Sequence, residues 1–290
     1  MGQRGGWVLD LDISKFFDSL DHRKLREILD KRVRDGVIRR AIDKWLKAGV
    51  MENGQLERPV SGTPQGGVIS PVLANIYLHE VLDSWFDQRV KPRLHGRAIL
   101  VRYADDAVIG FTDRGDAERV LEALTKRCAE YGLELHPEKT KLVQFRRPNG
   151  QSGGNGSERG QKPGTFDFLG FTHYWARSRR GNWVIKRKTG RGRMKRAVKA
   201  VSLWCCYHRH WRVSEQHKFL SRVLVGHYWY YGITGNSVQI GRFRQEVQKA
   251  WRKWLNRRSQ RAKMTWSRFG KLSKRYPLPP ARAYRSVCRT

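Results

Sequence analysis

Tyr103-Ala104-Asp105-Asp106 sets two adjacent carboxylates between two apolar runs, Ala98-Ile99-Leu100-Val101-Arg102-Tyr103 and Ala107-Val108-Ile109-Gly110-Phe111. Runs of this kind read as β-strands. Side chains alternate along a strand, so Asp105 and Asp106 serve one site together only at a turn. A hairpin tip presenting carboxylate oxygens suits a hard cation such as magnesium. A plain Asp-Asp turn accounts for these four residues equally well, because Asp is itself a turn former. A third carboxylate, Asp12, closes another strand-like run, Trp7-Val8-Leu9-Asp10-Leu11-Asp12-Ile13. If the two strand systems are neighbours, their carboxylates converge, and that much negative charge in one place needs a cation. Two magnesium ions ~3.5–4 Å apart are a common solution, and the chemistry they support is in-line phosphoryl transfer. Alternation puts Asp10 on the same strand face as Asp12, so spacing alone does not separate the two.

Other elements must position these groups. A helix is expected to start at Leu20-Asp21-His22 and run to about Val33, with Asp18 and Asp21 as capping residues. A second covers about Ile38 to Lys47, and Val50 to Arg58 reads as a hairpin around Asn53-Gly54. Ser61-Gly62-Thr63-Pro64-Gln65-Gly66-Gly67 is a loop, and Pro71 opens a long helix to about Val90. A helix from about Asp116 to Tyr131, ended by Gly132, follows the acidic hairpin. Leu142-Val143-Gln144-Phe145 is a short strand, and residues 147–164 read as a flexible Gly/Ser-rich loop. Phe166 to Trp175 and Trp183 to Lys188 are expected strands. From about Arg191 the pattern is helical, with breaks near Val213-Ser214, Gly232 to Gly241 and Pro277 to Pro280. The order predicts an α+β body, an antiparallel sheet with helices on one face, over residues 1–190. An all-α domain over residues 191–290 follows.

The charge divides the chain in the same way. The net charge is +33 over 290 residues, which implies a polyanionic partner such as RNA or DNA. Residues 171–290 hold 31 Lys and Arg against 2 acids and 8 of the 11 Trp, whereas residues 1–170 hold 28 basic and 24 acidic residues. The C-terminal part therefore reads as a polyanion grip with stacking surfaces. No apolar stretch reaches the length of a membrane span, and no signal peptide is evident, so no membrane partner is expected. Cys128, Cys205, Cys206 and Cys288 form no CxxC pair, which points to a reducing compartment and a cytoplasmic location.

Five segments in order resemble the reverse transcriptases of bacterial group II introns, which double as maturases. Leu11-Asp12-Ile13-Ser14-Lys15-Phe16-Phe17-Asp18 is similar to the first catalytic motif of that family, and Tyr103-Ala104-Asp105-Asp106 to the second. Between them Gly62-Thr63-Pro64-Gln65-Gly66-Gly67-Val68-Ile69-Ser70-Pro71 resembles the nucleotide and template-primer motif. Leu135-His136-Pro137-Glu138-Lys139-Thr140-Lys141 and Phe168-Leu169-Gly170-Phe171 resemble the following motif and the primer-grip strand. Gly226 to Gly232, with Trp251-Arg252-Lys253-Trp254-Leu255, resembles the thumb and maturase region.

The resemblance implies a reverse-transcriptase palm followed by a helical thumb/maturase domain, acting as an RNA-directed DNA polymerase with two Mg2+ ions. It implies that Asp12 and Asp105 ligate both metals, with Asp106 beside them and the Ile13 carbonyl as a further ligand, and leaves Asp10 solvent-side or structural. Lys139 would bring a proton or positive charge to the leaving pyrophosphate. Phe17 would sit under the sugar and exclude a 2′-hydroxyl. Phe16 and Phe17 are taken to face opposite sides of a strand. Gln65, Gly66 and Tyr103 would contact nucleotide or template, and Phe168, Leu169 and Gly170 would grip the primer. The implied partners are intron RNA, an RNA template with a DNA primer, and deoxynucleoside triphosphates. Family members carry a fingers region before the first catalytic strand. This chain starts almost at that strand, so the expectation is a form lacking fingers, or one served by a separate fingers polypeptide. The competing expectation is a non-catalytic, maturase-like RNA-binding protein or an inactive truncated remnant.

Overall fold

The computed structural model describes residues 5–47, 50–52, 55–57, 69–148, 164–261 and 263–285. Gln65 and Gly66, the Asn53-Gly54 turn and most of the 147–164 loop lie outside these. The chain divides into two compact units, residues 1–169 with 177–184, and residues 170–176 with 185–290.

The first unit is built on a four-stranded antiparallel sheet in the order β4-β5-β1-β6, from β1 (Gly5–Leu11), β4 (Ala98–Tyr103), β5 (Asp106–Phe111) and β6 (Lys141–Arg146). A separate pair, β2 (Val50–Glu52) and β3 (Gln55–Glu57), forms a small hairpin. The central strand β1 pairs on one side with β5, Leu9 opposite Ile109, and on the other with β6, Leu9 opposite Leu142. Gly6 is required where β1 meets β5: a Cβ there would stand 1.9 Å from the Phe111 carbonyl oxygen.

Alternation sends Leu9, Leu11, Ala107, Ile109 and Phe111 to one face, where all are buried in a core shared with the helices. Those helices are α1 (Phe16–Ser19), α2 (His22–Asp30), α3 (Gly36–Lys47), α4 (Ser70–Leu78) and α5 (Arg114–Glu130). Asp21 caps α2, accepting from the Arg23 and Lys24 amides. Asp18, in contrast, lies inside α1, and α5 starts two residues early because Asp113 accepts from the Asp116 amide. Phe16 and Phe17 are not on a strand. They occupy the single helical turn α1, with Phe16 buried and Phe17 half-buried, their rings 5.3 Å apart. Lys15, at φ 43°, makes the chain reverse before the alternation can continue.

Helix α4 continues to Val90 in π-helical turns, residues 79–84 and 86–90. Among its buried residues, Ala74, Leu78, Leu82, Phe86 and Val90 recur every four positions, flanked by Leu73, Tyr77 and Val81. An ideal α-helix would rotate such a stripe by about 40° per step, and the wider i→i+5 turns keep it facing the sheet. On this side Asp116 is buried. Burial opposes its charge, but hydrogen bonds from the Gly96 and His95 amides and the Arg119 guanidinium outweigh that and hold its carboxyl below the usual range.

The expected strand from Phe166 to Trp175 is interrupted. Strand β7 (Phe166–Phe168) ends in a tight turn, with Leu169 at φ 50° and Gly170 at φ 77°, before β8 (Phe171–Arg177) and β9 (Trp183–Thr189). The proposed primer-grip residues Leu169 and Gly170 are therefore turn residues, not strand residues.

The second unit contains α6 (Arg191–Tyr207), α7 (Val213–Tyr231), α8 (Ser237–Leu255) and α9 (Trp266–Arg275). Its core gathers Val201, Cys205, Leu220, Leu224, Tyr228, Ile240, Phe243, Val247 and Trp251. The break at residues 256–265 was not legible in the sequence. Asn256 makes it, accepting from the Met264 amide at 2.6 Å. Within this core His227 stacks on Phe243 at 3.9 Å, and its Nε2 is buried without a hydrogen bond. Burial pushes its pKa down to about 4. Because the folded value lies below the unfolded one of about 6.5, this neutral imidazole favours the native state fully above pH 6.5. That contribution, up to about 3 kcal/mol, is lost as pH falls toward 4. Denaturant melts between pH 7 and 4 should show the loss, and His227→Phe should remove that part of the pH dependence.

Candidate active site

The sheet face opposite the helices carries the carboxylates. Asp10 of β1 stands opposite Val108 of β5, and extending that register by two residues sets Asp12 opposite Asp106. Asp105 occupies the two-residue turn between β4 and β5, where Tyr103 pairs with Asp106. Both Asp105 and Tyr103 are exposed, Tyr103 at 68%. The fold thus directs Asp12 and Asp106, some ninety residues apart in sequence, toward Asp10, on which both charges act, with Asp105 next to Asp106 in the turn.

Asp12 lies just beyond the end of β1 and is held from its far side. The His136 amide donates to the Asp12 carbonyl at 2.7 Å, the Ser14 amide to the Glu134 carbonyl at 2.8 Å, and Ile13 bridges Leu135. This clamp delivers Lys139, whose Nζ donates to Asp12 Oδ2 at 2.9 Å. Lys139 is thereby joined to the carboxylate cluster and is not an isolated surface lysine.

Asp10 is not solvent-side. It is half-buried, and β7 packs against β1 and β5. Burial, followed by the charges of Asp106, Asp167 and Asp12, pushes its pKa up to about 6 against the opposing effect of Lys141. Spacing placed Asp10 on the correct face. Its burial depends on β7, about 155 residues further along the chain, and no local signal carries that.

Arg102 is a residue that sequence reading missed. Its side chain, 12% exposed, forks onto Asp83, with Nε donating to Oδ1 at 2.8 Å and Nη2 to Oδ2. Its Nη1 donates at 2.9 Å both to Asn75 Oδ1 and to the Ala104 carbonyl in the hairpin turn.

The donor set, carboxylate oxygens with a backbone carbonyl, suits a hard divalent cation. Among the described residues, no three His, Cys, Asp or Glu side chains are already arranged to enclose an ion. Among the same residues, no helix is long and apolar enough to cross a membrane.

Residues 2–173 match the family described as reverse transcriptase (RNA-dependent DNA polymerase). The group II intron-encoded protein LtrA of Lactococcus lactis subsp. cremoris is 47% identical over 75 residues, which are 26% of this chain and 12% of that protein. Protein YkfC of Escherichia coli strain K12 is 32% identical over 169 residues, covering 48% of this chain and 44% of YkfC. An uncharacterized 91 kDa protein in the cob intron of Schizosaccharomyces pombe is 28% identical over 188 residues, covering 47% of this chain and 23% of that protein. The chain spans less than half the length of each of these relatives.

Proposed function

Because the chain belongs to the reverse transcriptase family, we propose that it is an RNA-directed DNA polymerase of the group II intron type, which also binds intron RNA and assists its splicing. One observation carries this reading: the charges of Asp12 and Asp106 both act on Asp10 at the end of β1, beside the Asp105 turn, with Lys139 on Asp12. Asp12, Asp105 and Asp106, with the Ile13 carbonyl, would hold two Mg2+ ions, which supply activation of a primer 3′-hydroxyl and neutralisation of pyrophosphate.

The remaining work falls to the chain itself. Lys139 keeps Asp12 oriented and brings a positive charge to the side where the leaving group departs. Phe17, half-buried on α1, closes the space under the sugar of an incoming deoxynucleotide. Gln65, Gly66 and Tyr103 contact the nucleotide or template, and the Phe168-Leu169-Gly170 turn holds the primer. The partners are an RNA template with a DNA primer, deoxynucleoside triphosphates and intron RNA, in the cytoplasm. The basic helical part, 31 Lys and Arg against 2 acids, is the RNA grip.

The test is primer extension on an RNA template with magnesium and deoxynucleotides, alone and with a fingers polypeptide added. Extension that depends on magnesium is the expected result, and none under either condition removes the reading. Phe17→Ala should raise ribonucleotide incorporation roughly 10-fold or more, since a steric gate works by excluding volume.

A further inference from the structure

We propose that Arg102 is a positioning residue that selects the conformation of the carboxylate hairpin. This deepens the polymerase reading and rests on it for its catalytic consequence, though not for its conformational one. The turn between β4 and β5 has only two residues, Ala104 and Asp105. Ala104 sits at φ 54° and Asp105 does not share that sign, the pattern of a type II′ turn. Alanine in the left-handed region is strained, and glycine is the usual occupant of this position.

The competing conformer is reached by rotating one peptide, the unit joining the Ala104 carbonyl to the Asp105 amide. That rotation exchanges type II′ for type I′, changes the backbone at Asp105 and re-aims its carboxylate. Arg102 donates to this very carbonyl at 2.9 Å. A guanidinium can hold it there because it is itself fixed, forked onto Asp83 and bonded to Asn75. Asn75 is in turn tied to the Pro71 carbonyl at 3.0 Å, and Asp83 to His79 Nδ1 at 3.3 Å. The brace therefore runs from the first turn of α4, whose Ser70 and Pro71 close the Gly62 to Pro71 motif, to the tip that carries Asp105. An ammonium cannot replace it, since one nitrogen cannot hold the Asp83 fork and reach two further acceptors in fixed directions.

Arg102→Lys in the full chain tests this, because it keeps the charge beside Asp83 and loses the fork. Amide exchange of the segment covering residues 103–107 should quicken ~10-fold while the denaturant midpoint stays near the native one. Affinity for Mn2+ alone, read by its paramagnetic resonance, should weaken ~10-fold. In extension assays kcat should fall ~10- to 100-fold with KM for the deoxynucleotide little changed, the signature of misplaced groups. Arg102→Gln should do the same and also lower the midpoint. Native exchange at the tip in Arg102→Lys overturns the brace whether or not the chain polymerises. Quickened exchange with unchanged kcat and Mn2+ affinity overturns its role in the site. A native chain that neither binds Mn2+ nor extends a primer, yet shows the exchange change, counts against the polymerase reading and leaves the brace standing.

Discussion

Asp12→Asn is expected to lower single-turnover primer extension by roughly 10³-fold or more, about 4 kcal/mol of barrier. The amide is isosteric, so the clamp from Glu134 and His136 to the backbone around Asp12 is untouched. What disappears is one anionic oxygen donor from a set of three and the partner of Lys139. Stability should hardly move, because the Asp12–Lys139 pair has side chains 36% and 62% exposed, and such pairs contribute little to folding. Removing one negative charge beside Asp10 also relieves repulsion there. RNA affinity should be unchanged, since most of the net positive charge available to phosphate lies beyond residue 170. Extension and filter binding on the same preparation separate these outcomes. A rate within tenfold of native would falsify the assignment of Asp12 to the reaction.

The largest effect on folding is expected at Trp251, which is 1% exposed and central to the helical core. Its Nε1 donates to Gln216 Oε1 at 2.8 Å. Gln216, equally buried, spends its amide nitrogen on the carbonyls of His208, Arg209 and Trp211, at 2.7, 3.2 and 3.2 Å. The indole thus fixes the side chain that satisfies the connection between α6 and α7. Trp251→Ala should cost about 3–5 kcal/mol from the cavity alone. The stranded Gln216 oxygen adds about 1–3 kcal/mol. Trp251→Phe should recover most of the packing term and little of the hydrogen-bond term. Chemical denaturation followed by far-ultraviolet circular dichroism reads both. A loss below about 1 kcal/mol for the alanine variant would contradict this account of the core.

Much of this was legible in the sequence because it is local. The Asp21 cap, the Pro71 helix start, the strands around Asp105-Asp106 and the helical start at Arg191 each follow from spacing and residue type within a few positions. What stayed hidden depends on distant partners or on single dihedrals. Asp10 could be read as solvent-side or structural, because the strand that buries it is β7. Phe16-Phe17 looked like strand because Lys15 gives no warning of a positive φ. Leu169-Gly170 looked like strand because a leucine seldom accepts φ 50°. Arg102 looked like one more charge in a basic chain, and only Asp83, Asn75 and the Ala104 carbonyl together reveal its task.

The place of β1 in the sheet also governs when the palm can form. This strand is synthesised well before its two neighbours, β5 and β6, which end at residues 111 and 146. At ribosomal rates of about 5–20 residues per second, β1 waits roughly 5–20 seconds for β5 and roughly 7–27 seconds for β6, with both edges unpaired until the first arrives. During that interval Trp7-Val8-Leu9 is an open template for other chains. Yield of the native protein should therefore depend on translation speed across residues 12–146 and on chaperones that shield a nascent strand, a burden that a β-hairpin at the same position would not impose.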